Sequence, residues 1–188
     1  ALRREWGKKA QVSVVVTRKV PGQLFLGALV LLDRTCLGVK NAMLFPPQTE
    51  LEFEQRMQRI GETIGSLRRV EPLLAQSAVY HGIEYARALG FAPHRDFPEA
   101  IFGPRPAVLV DTPLSRRERP YYVSGPDDDV ARVLARLTAA CGPEGFNLMV
   151  EASLGSTGFR EFVDELGDES DEGDDDDDDE EGATDLPL

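Results

Sequence analysis

The sequence predicts an α+β fold in which an antiparallel N-terminal meander is covered by two consecutive helices. A smaller strand–helix–strand portion follows, and then a disordered acidic C-terminal tail. Three observations lead there. Residues 11–45 carry period-two and dense apolar runs separated by turn chemistry, residues 49–90 carry two helical periodicities with start and stop signals, and the composition turns almost purely acidic after Leu166. The expected layout is a basic lead-in at 1–10, a single domain over 11–153, and a hinge, short amphipathic segment and tail over 154–188.

In the meander, Val12, Val14 and Val16 alternate with other positions as one strand, and Val20-Pro21-Gly22 turns the chain. Leu24 to Leu32 is a dense apolar second strand, Asp33 to Gly38 reverses direction, and Val39 to Phe45 is a third strand that Pro46-Pro47 is expected to close. Three strands alone are marginal and need a helical cover.

That cover is expected from the next two segments. Thr49 is a fitting N-cap, and Glu50, Glu52 and Glu54 suit the positive end of a helix. Leu51, Met57, Ile60, Ile64 and Leu67 form its apolar series, which runs out at Arg68-Arg69. Gly61 and Gly65, four apart, suggest a close backbone approach. The second helix opens at Pro72 and stops at Gly90, with Leu74, Ala78, His81, Tyr85 and Leu89 on one stripe.

Beyond it, Ala107 to Val110 reads as a short buried strand ending in Asp111, and Tyr121 to Val123 as another. Asp127, Asp128 and Asp129 lead into a helix whose apolar face is Val130, Val133, Leu134 and Leu137. Phe146 to Val150 is the last strand.

Both histidines lie in or just after the second helix. His81 has Glu84 three positions on, and the elbow Pro93-His94-Arg95-Asp96 follows, so His81, Glu84, His94 and Asp96 are the candidate proton-transfer or metal-binding groups, with Asp33 and Asp111 as further oxygen ligands. The blander expectation outweighs it: a satisfied core histidine, and an elbow shaped by side chain to backbone hydrogen bonds. The spacing matches no zinc signature, Asp127 to Asp129 lack the alternating oxygens of a calcium loop, and no phosphate-cradling glycine loop is present. No resident metal or cofactor is therefore expected. Cys36 and Cys141 are too few for a disulfide framework and read as packed thiols rather than as a nucleophile with His81 or His94.

Charge divides the chain. Of 33 acidic residues, 16 lie from Glu161 onward and 17 before it, whereas all 21 Lys and Arg precede residue 161. No apolar run approaches the roughly 20 residues of a membrane helix and no signal core opens the sequence, so a cytoplasmic protein without membrane attachment is expected. After a small-residue hinge at Gly155 to Gly158, Phe159, Phe162, Val163 and Leu166 recur at helical spacing. Asp174, Asp175, Asp176, Asp177, Asp178 and Asp179 then run uninterrupted.

Three functions follow in order of preference. The first is a non-catalytic accessory or regulatory protein, which meets a protein partner of basic surface through its body and through the apolar stripe and aspartate run of the tail. The second is a metal-dependent hydrolase or nuclease built on His81, Glu84, His94 and Asp96. The third is a nucleic-acid-binding domain using Arg68, Arg69, Arg116, Arg117 and Arg119, with the tail as autoinhibitor. A body excess of only four positive charges argues for the first over the third.

Several stretches taken together resemble an uncharacterised bacterial family. They are Asp33-Arg34-Thr35-Cys36-Leu37-Gly38-Val39-Lys40-Asn41-Ala42, Tyr80 with Ile83-Glu84-Tyr85-Ala86, Leu89-Gly90-Phe91 with Pro93-His94 and Asp96-Phe97, and Pro120-Tyr121-Tyr122-Val123-Ser124-Gly125-Pro126. Members of that family are known as hypothetical proteins, some beside a small SEC-C metal-binding motif. The resemblance spans about residues 10–150 and implies a shared α+β fold and no established activity. It departs in two places: the family carries a small residue where His81 stands here, and an acidic tail replaces the SEC-C cysteines.

Overall fold

A computed structural model describes residues 10–65, 67–112, 119–125 and 128–149. Strands β1 (Gln11–Val20), β2 (Leu24–Asp33) and β3 (Gly38–Gln48) form an antiparallel sheet of order β1-β2-β3. Val14 stands opposite Val30, and Val30 opposite Ala42, so one face carries Val12, Val14, Ala28, Val30, Leu32 and Ala42. The other carries Val15, Leu29, Met43 and Phe45. Both faces of β2 are apolar, so both need a cover, and each receives one.

Helix α1 (Glu50–Ile64) packs Met57, Ile60 and Ile64 against the Leu29–Phe45 face, while α2 (Pro72–Ala88) packs Ala75, Ala78, Val79 and Ile83 against the opposite face. The expected cover is thus present, but its two helices sandwich the sheet instead of sharing a side. Phe25 of β2 stacks on Phe53 of α1 with ring centroids 5.1 Å apart. The start of α1 is a capping box: the Thr49 hydroxyl accepts from the Glu52 amide at 3.4 Å, and Glu52 Oε2 accepts from the Thr49 amide at 2.6 Å. Leu51 and Leu67 are exposed, and the helix stops at Ile64, before Arg68.

Pro46-Pro47 does not close the third strand. β3 runs on to Gln48 because it lies at the sheet edge and slips register there, Gly27 facing Phe45 but Phe25 facing Gln48. The extra residue is a bulge, the setting in which a strand tolerates residues without an N–H.

The buried side of α2 is rotated from the predicted stripe. Ala75, Ala78, Val79, Gly82, Ile83 and Ala86 are buried, whereas Leu74, His81 and Tyr85 are half-buried on its flanks. A strap crosses one flank. Short helix α3 (Glu99–Phe102) leads into Gly103, whose carbonyl accepts the Tyr80 hydroxyl at 2.5 Å, while the Phe102 carbonyl accepts the Gln76 side chain. Ala107 to Val110 is not a strand: the Val110 amide donates to Ser77 Oγ on α2 at 2.9 Å, Leu109 packs on the core, and Val108 is 77% exposed. These residues meet a helix face and no sheet edge, so their apolar character signals anchoring and not pairing.

The second unit is β4 (Tyr121–Val123), α4 (Val130–Cys141) and β5 (Asn147–Met149), with β4 and β5 parallel, as a helical crossover requires. Asp129 caps α4 by accepting from the Arg132 amide at 3.0 Å. Val133 and Leu137 join Tyr122, Ala86, Leu89, Phe91 and Cys36 in a second apolar cluster that ties this unit to the end of α2. Strand–helix–strand order and the α+β class therefore hold as expected. Among the described residues, no helix is long and apolar enough to cross a membrane.

Candidate functional site

The four candidate acid–base residues fall into two separate contacts. His81, half-buried on α2, places Nδ1 2.7 Å from the buried Thr112 Oγ1 at the end of the strap. One turn on, Glu84 pairs with Arg105 of the same strap, and the hydrogen bond from that guanidinium holds the carboxyl below its ordinary range. Both contacts pin the strap to the helix. His94 lies on the elbow: its amide donates to the Val39 carbonyl at 2.9 Å, its Nδ1 accepts the Asp96 amide at 3.3 Å, and its carbonyl accepts the Phe97 amide at 2.9 Å. His94 and Asp96 thus shape a turn that docks on β3, the role that short polar side chains commonly take in loops. Among the described residues, no three His, Cys, Asp or Glu side chains are grouped so as to hold a metal ion, and Asp111 is exposed.

A denser polar cluster sits where the two units meet. Asp33, 1% exposed at the end of β2, accepts three hydrogen bonds on Oδ1: from the Thr35 amide at 2.8 Å, the Thr35 hydroxyl at 2.8 Å and the Cys36 amide at 3.1 Å. Burial raises its pKa from the ordinary 3.8, opposed by those bonds and by Lys40. The turn they build is pressed onto α2. A Cβ on Gly38, at φ +68°, would stand 2.7 Å from both the Ala86 Cβ and the Gly82 carbonyl oxygen, and one on Gly82 would stand 2.5 Å from Leu32 Cδ1. Gly38 and Gly82 let this turn and α2 approach closely. Gly61 and Gly65, expected from their spacing to play that part, face open space.

Asp128 is the other half of the cluster. Its Oδ2 accepts from Lys40 Nζ of β3 at 2.9 Å, from the Tyr122 hydroxyl of β4 at 3.1 Å and from the Gly125 amide at 2.7 Å. One carboxylate oxygen therefore joins the main sheet, the small sheet and the loop before α4. The Thr35 carbonyl accepts the Tyr121 amide at 3.0 Å and faces the Tyr85 hydroxyl at 3.5 Å. Burial, reinforced by Cys36 and Asp33, pushes the Tyr85 hydroxyl up to about 12, and burial followed by Asp128 raises Tyr122.

Chemically, this junction is saturated. Cys36 is fully buried, and burial together with Asp33 holds its thiol protonated, the opposite of what a nucleophile or thiolate ligand needs. Every donor named on Asp128 belongs to the fold. The arrangement neutralises buried charge and clamps two units together. Sequence spacing gives little sign of it, since Lys40 and Asp128 are 88 residues apart.

The basic candidates are dispersed along the chain. Arg68 and Arg69 are exposed in the α1–α2 connection, Arg119 is exposed before β4 and donates to the Glu144 carbonyl at 2.9 Å, and Arg116 and Arg117 lie outside the described residues. Phe159, Phe162, Val163, Leu166 and Asp174 to Asp179 also lie outside them. Comparison with protein-family models, with curated proteins and with solved structures gave no match.

Proposed function

We propose that this chain is a non-catalytic binding protein whose α+β body presents an acidic C-terminal run to a protein partner with a basic surface. The observation that carries the reading is the charge partition: 16 acidic residues and no Lys or Arg from Glu161 onward, against 21 basic and 17 acidic before it. An uncompensated run of that length attracts a basic surface over distances of about a Debye length and raises the association rate accordingly.

The body supports the reading from the other side. Its acid–base side chains are engaged in holding the strap, the elbow and the junction, and its one fully buried thiol is held protonated. No comparable observation favours the metal-dependent hydrolase, or the nucleic-acid-binding body with an autoinhibitory tail.

The test uses the full chain and a full-length variant in which Asp174 to Asp179 are all changed to Asn. Proteins from nuclease-treated host extract that are retained by the parent are purified and their Kd measured against both forms. Neutralising six charges is expected to weaken a true partner by roughly tenfold or more at low ionic strength, with the difference shrinking as salt rises. Equal affinity of both forms for every retained protein would remove the tail from the reading.

A further inference from the structure

The three-stranded sheet has two outer strands, β1 and β3, and their edges differ. The Arg34 amide donates to the Ala10 carbonyl, so even-numbered residues of β1 bond to β2. Alternation then turns the N–H and C=O of Gln11, Ser13, Val15, Thr17 and Lys19 outward. By the same alternation odd residues of β2 bond to β3, which turns Lys40, Ala42 and Leu44 outward on the far edge.

The β3 edge is closed to another strand. It slips register twice against β2, and Pro46 and Pro47 have no N–H to offer. The Ala42 amide is taken by Asn41 Oδ1 at 2.7 Å, and the His94 amide of the elbow occupies the Val39 carbonyl at 2.9 Å. Bulges, prolines and covering loops are the devices that keep a sheet edge from pairing. β1 carries none of them. It holds unbroken register with β2 along its whole length, is rich in valine and contains no proline or glycine. Among the described residues, no turn or loop backbone bonds to its five outward positions. Ser13 and Val15 are half-buried there, and Thr17 and Lys19 are exposed.

We infer that β1 is a self-association edge, pairing antiparallel with β1 of a second copy about a two-fold axis at Val15 to make one continuous six-stranded sheet. The strand selects this occupant by matching itself. An axis at Val15 sets Gln11 against Lys19, Ser13 against Thr17 and Val15 against its twin, so every outward residue gains a bonded partner. The intervening residues then set Val12 against Arg18 and Val14 against Val16. Valine pairs and Ser–Thr pairs are favourable across strands, and the cations Arg18 and Lys19 of the two copies stand at opposite ends. Sliding the axis to Arg18 would leave Gln11 and Ser13 unpaired and set cation beside cation. Sliding it toward Gln11 would carry Thr17 and Lys19 past the start of the strand. The contact also closes on itself: it consumes the open edge of each copy and leaves the closed β3 edges at both ends of the joined sheet.

This interface is independent of the binding proposed for the acidic run. The test is sedimentation equilibrium on the full chain and three full-length variants, with circular dichroism and urea unfolding as the fold control. Val15→Pro removes an outward N–H that β2 does not use. Ser13→Lys with Thr17→Lys sets two ammonium groups opposite each other in the inferred register, and Ser13→Glu with Thr17→Lys sets a carboxylate opposite an ammonium. The parent is expected to be a concentration-dependent dimer and Val15→Pro a folded monomer. The lysine–lysine variant should dimerise roughly tenfold or more weakly than the glutamate–lysine variant, with the gap narrowing as salt rises. A parent that stays monomeric up to about 100 μM would leave the edge to a strand of another protein and overturn the inference. A dimer untouched by a folded Val15→Pro would place the interface elsewhere, and equal Kd values for the two double variants would refute the register. Should Val15→Pro fail to fold, the double variants alone decide.

Discussion

Replacing Asp128 by Ala removes the acceptor that three parts of the fold share. Lys40 and Asp128 side chains are 18% and 13% exposed, so water replaces the lost partner only in part, and the Tyr122 hydroxyl has no solvent to turn to. Removing one member of a fully buried ion pair costs about 3–5 kcal/mol, and a buried hydroxyl left unbonded about 1–3 kcal/mol. Partial access at Lys40 places the expected total near the lower end, about 3 kcal/mol. That corresponds to a Tm lower by about 9 °C for a domain of this size. Lys40→Met removes the charge with its partner's other two donors intact and is expected to cost about 1 kcal/mol. The double variant should recover about 1–2 kcal/mol relative to the sum, because no uncompensated ammonium is left behind. Urea unfolding followed by circular dichroism reads all four forms, with an unchanged m-value confirming that the midpoint shift is a stability change. A loss below about 1 kcal/mol for Asp128→Ala, or strict additivity in the double variant, would refute the clamp.

Two further outcomes follow from the same junction. Gly38→Ala forces a side chain into a left-handed backbone against Ala86 and the Gly82 carbonyl, and is expected to cost about 2–4 kcal/mol in urea unfolding, whereas Gly61→Ala, with open space around it, should be neutral or slightly stabilising. Burial raises the Asp33 carboxyl, so the folded chain holds this proton to higher pH than the unfolded chain, and its contribution to stability falls as pH climbs from about 3.8 through the folded value. Asp33→Asn keeps an oxygen for the Thr35 and Cys36 donors and does not titrate. Its stability relative to the parent should therefore rise between pH 4 and neutrality, and a pH-independent difference would count against the buried charge.

The meander and the start of α1 are legible because their signals are local: alternation in β1, turn chemistry at Pro21-Gly22, and Thr49 as an N-cap. The misses share one cause, that a residue's partner was remote. Pro46-Pro47 reads as a breaker until β3 is known to be an edge strand with a bulge. Ala107 to Val110 reads as a strand until Val110 is seen to bond Ser77 across 33 residues. The stripe through His81 coincides only in part with the buried face of α2: Ala78 and Leu89 are buried, but Leu74, His81 and Tyr85 are half-buried, because the helix faces the sheet on one flank and the strap on another and periodicity alone selects no single face.

Glycine spacing failed for the same reason. Gly61 and Gly65 form a pattern along one helix, while the pair that matters, Gly38 and Gly82, has no pattern at all because a turn and a helix supply one glycine each. Remote pairing also decides how the C-terminal unit is held. The two sheets share no strand, so β4, α4 and β5 are coupled to the body by the second apolar cluster and by the two carboxylates that bracket it, Asp33 through Thr35 and Asp128 through Lys40. Whatever loosens the junction therefore loosens the hold of the body on β4, α4 and β5.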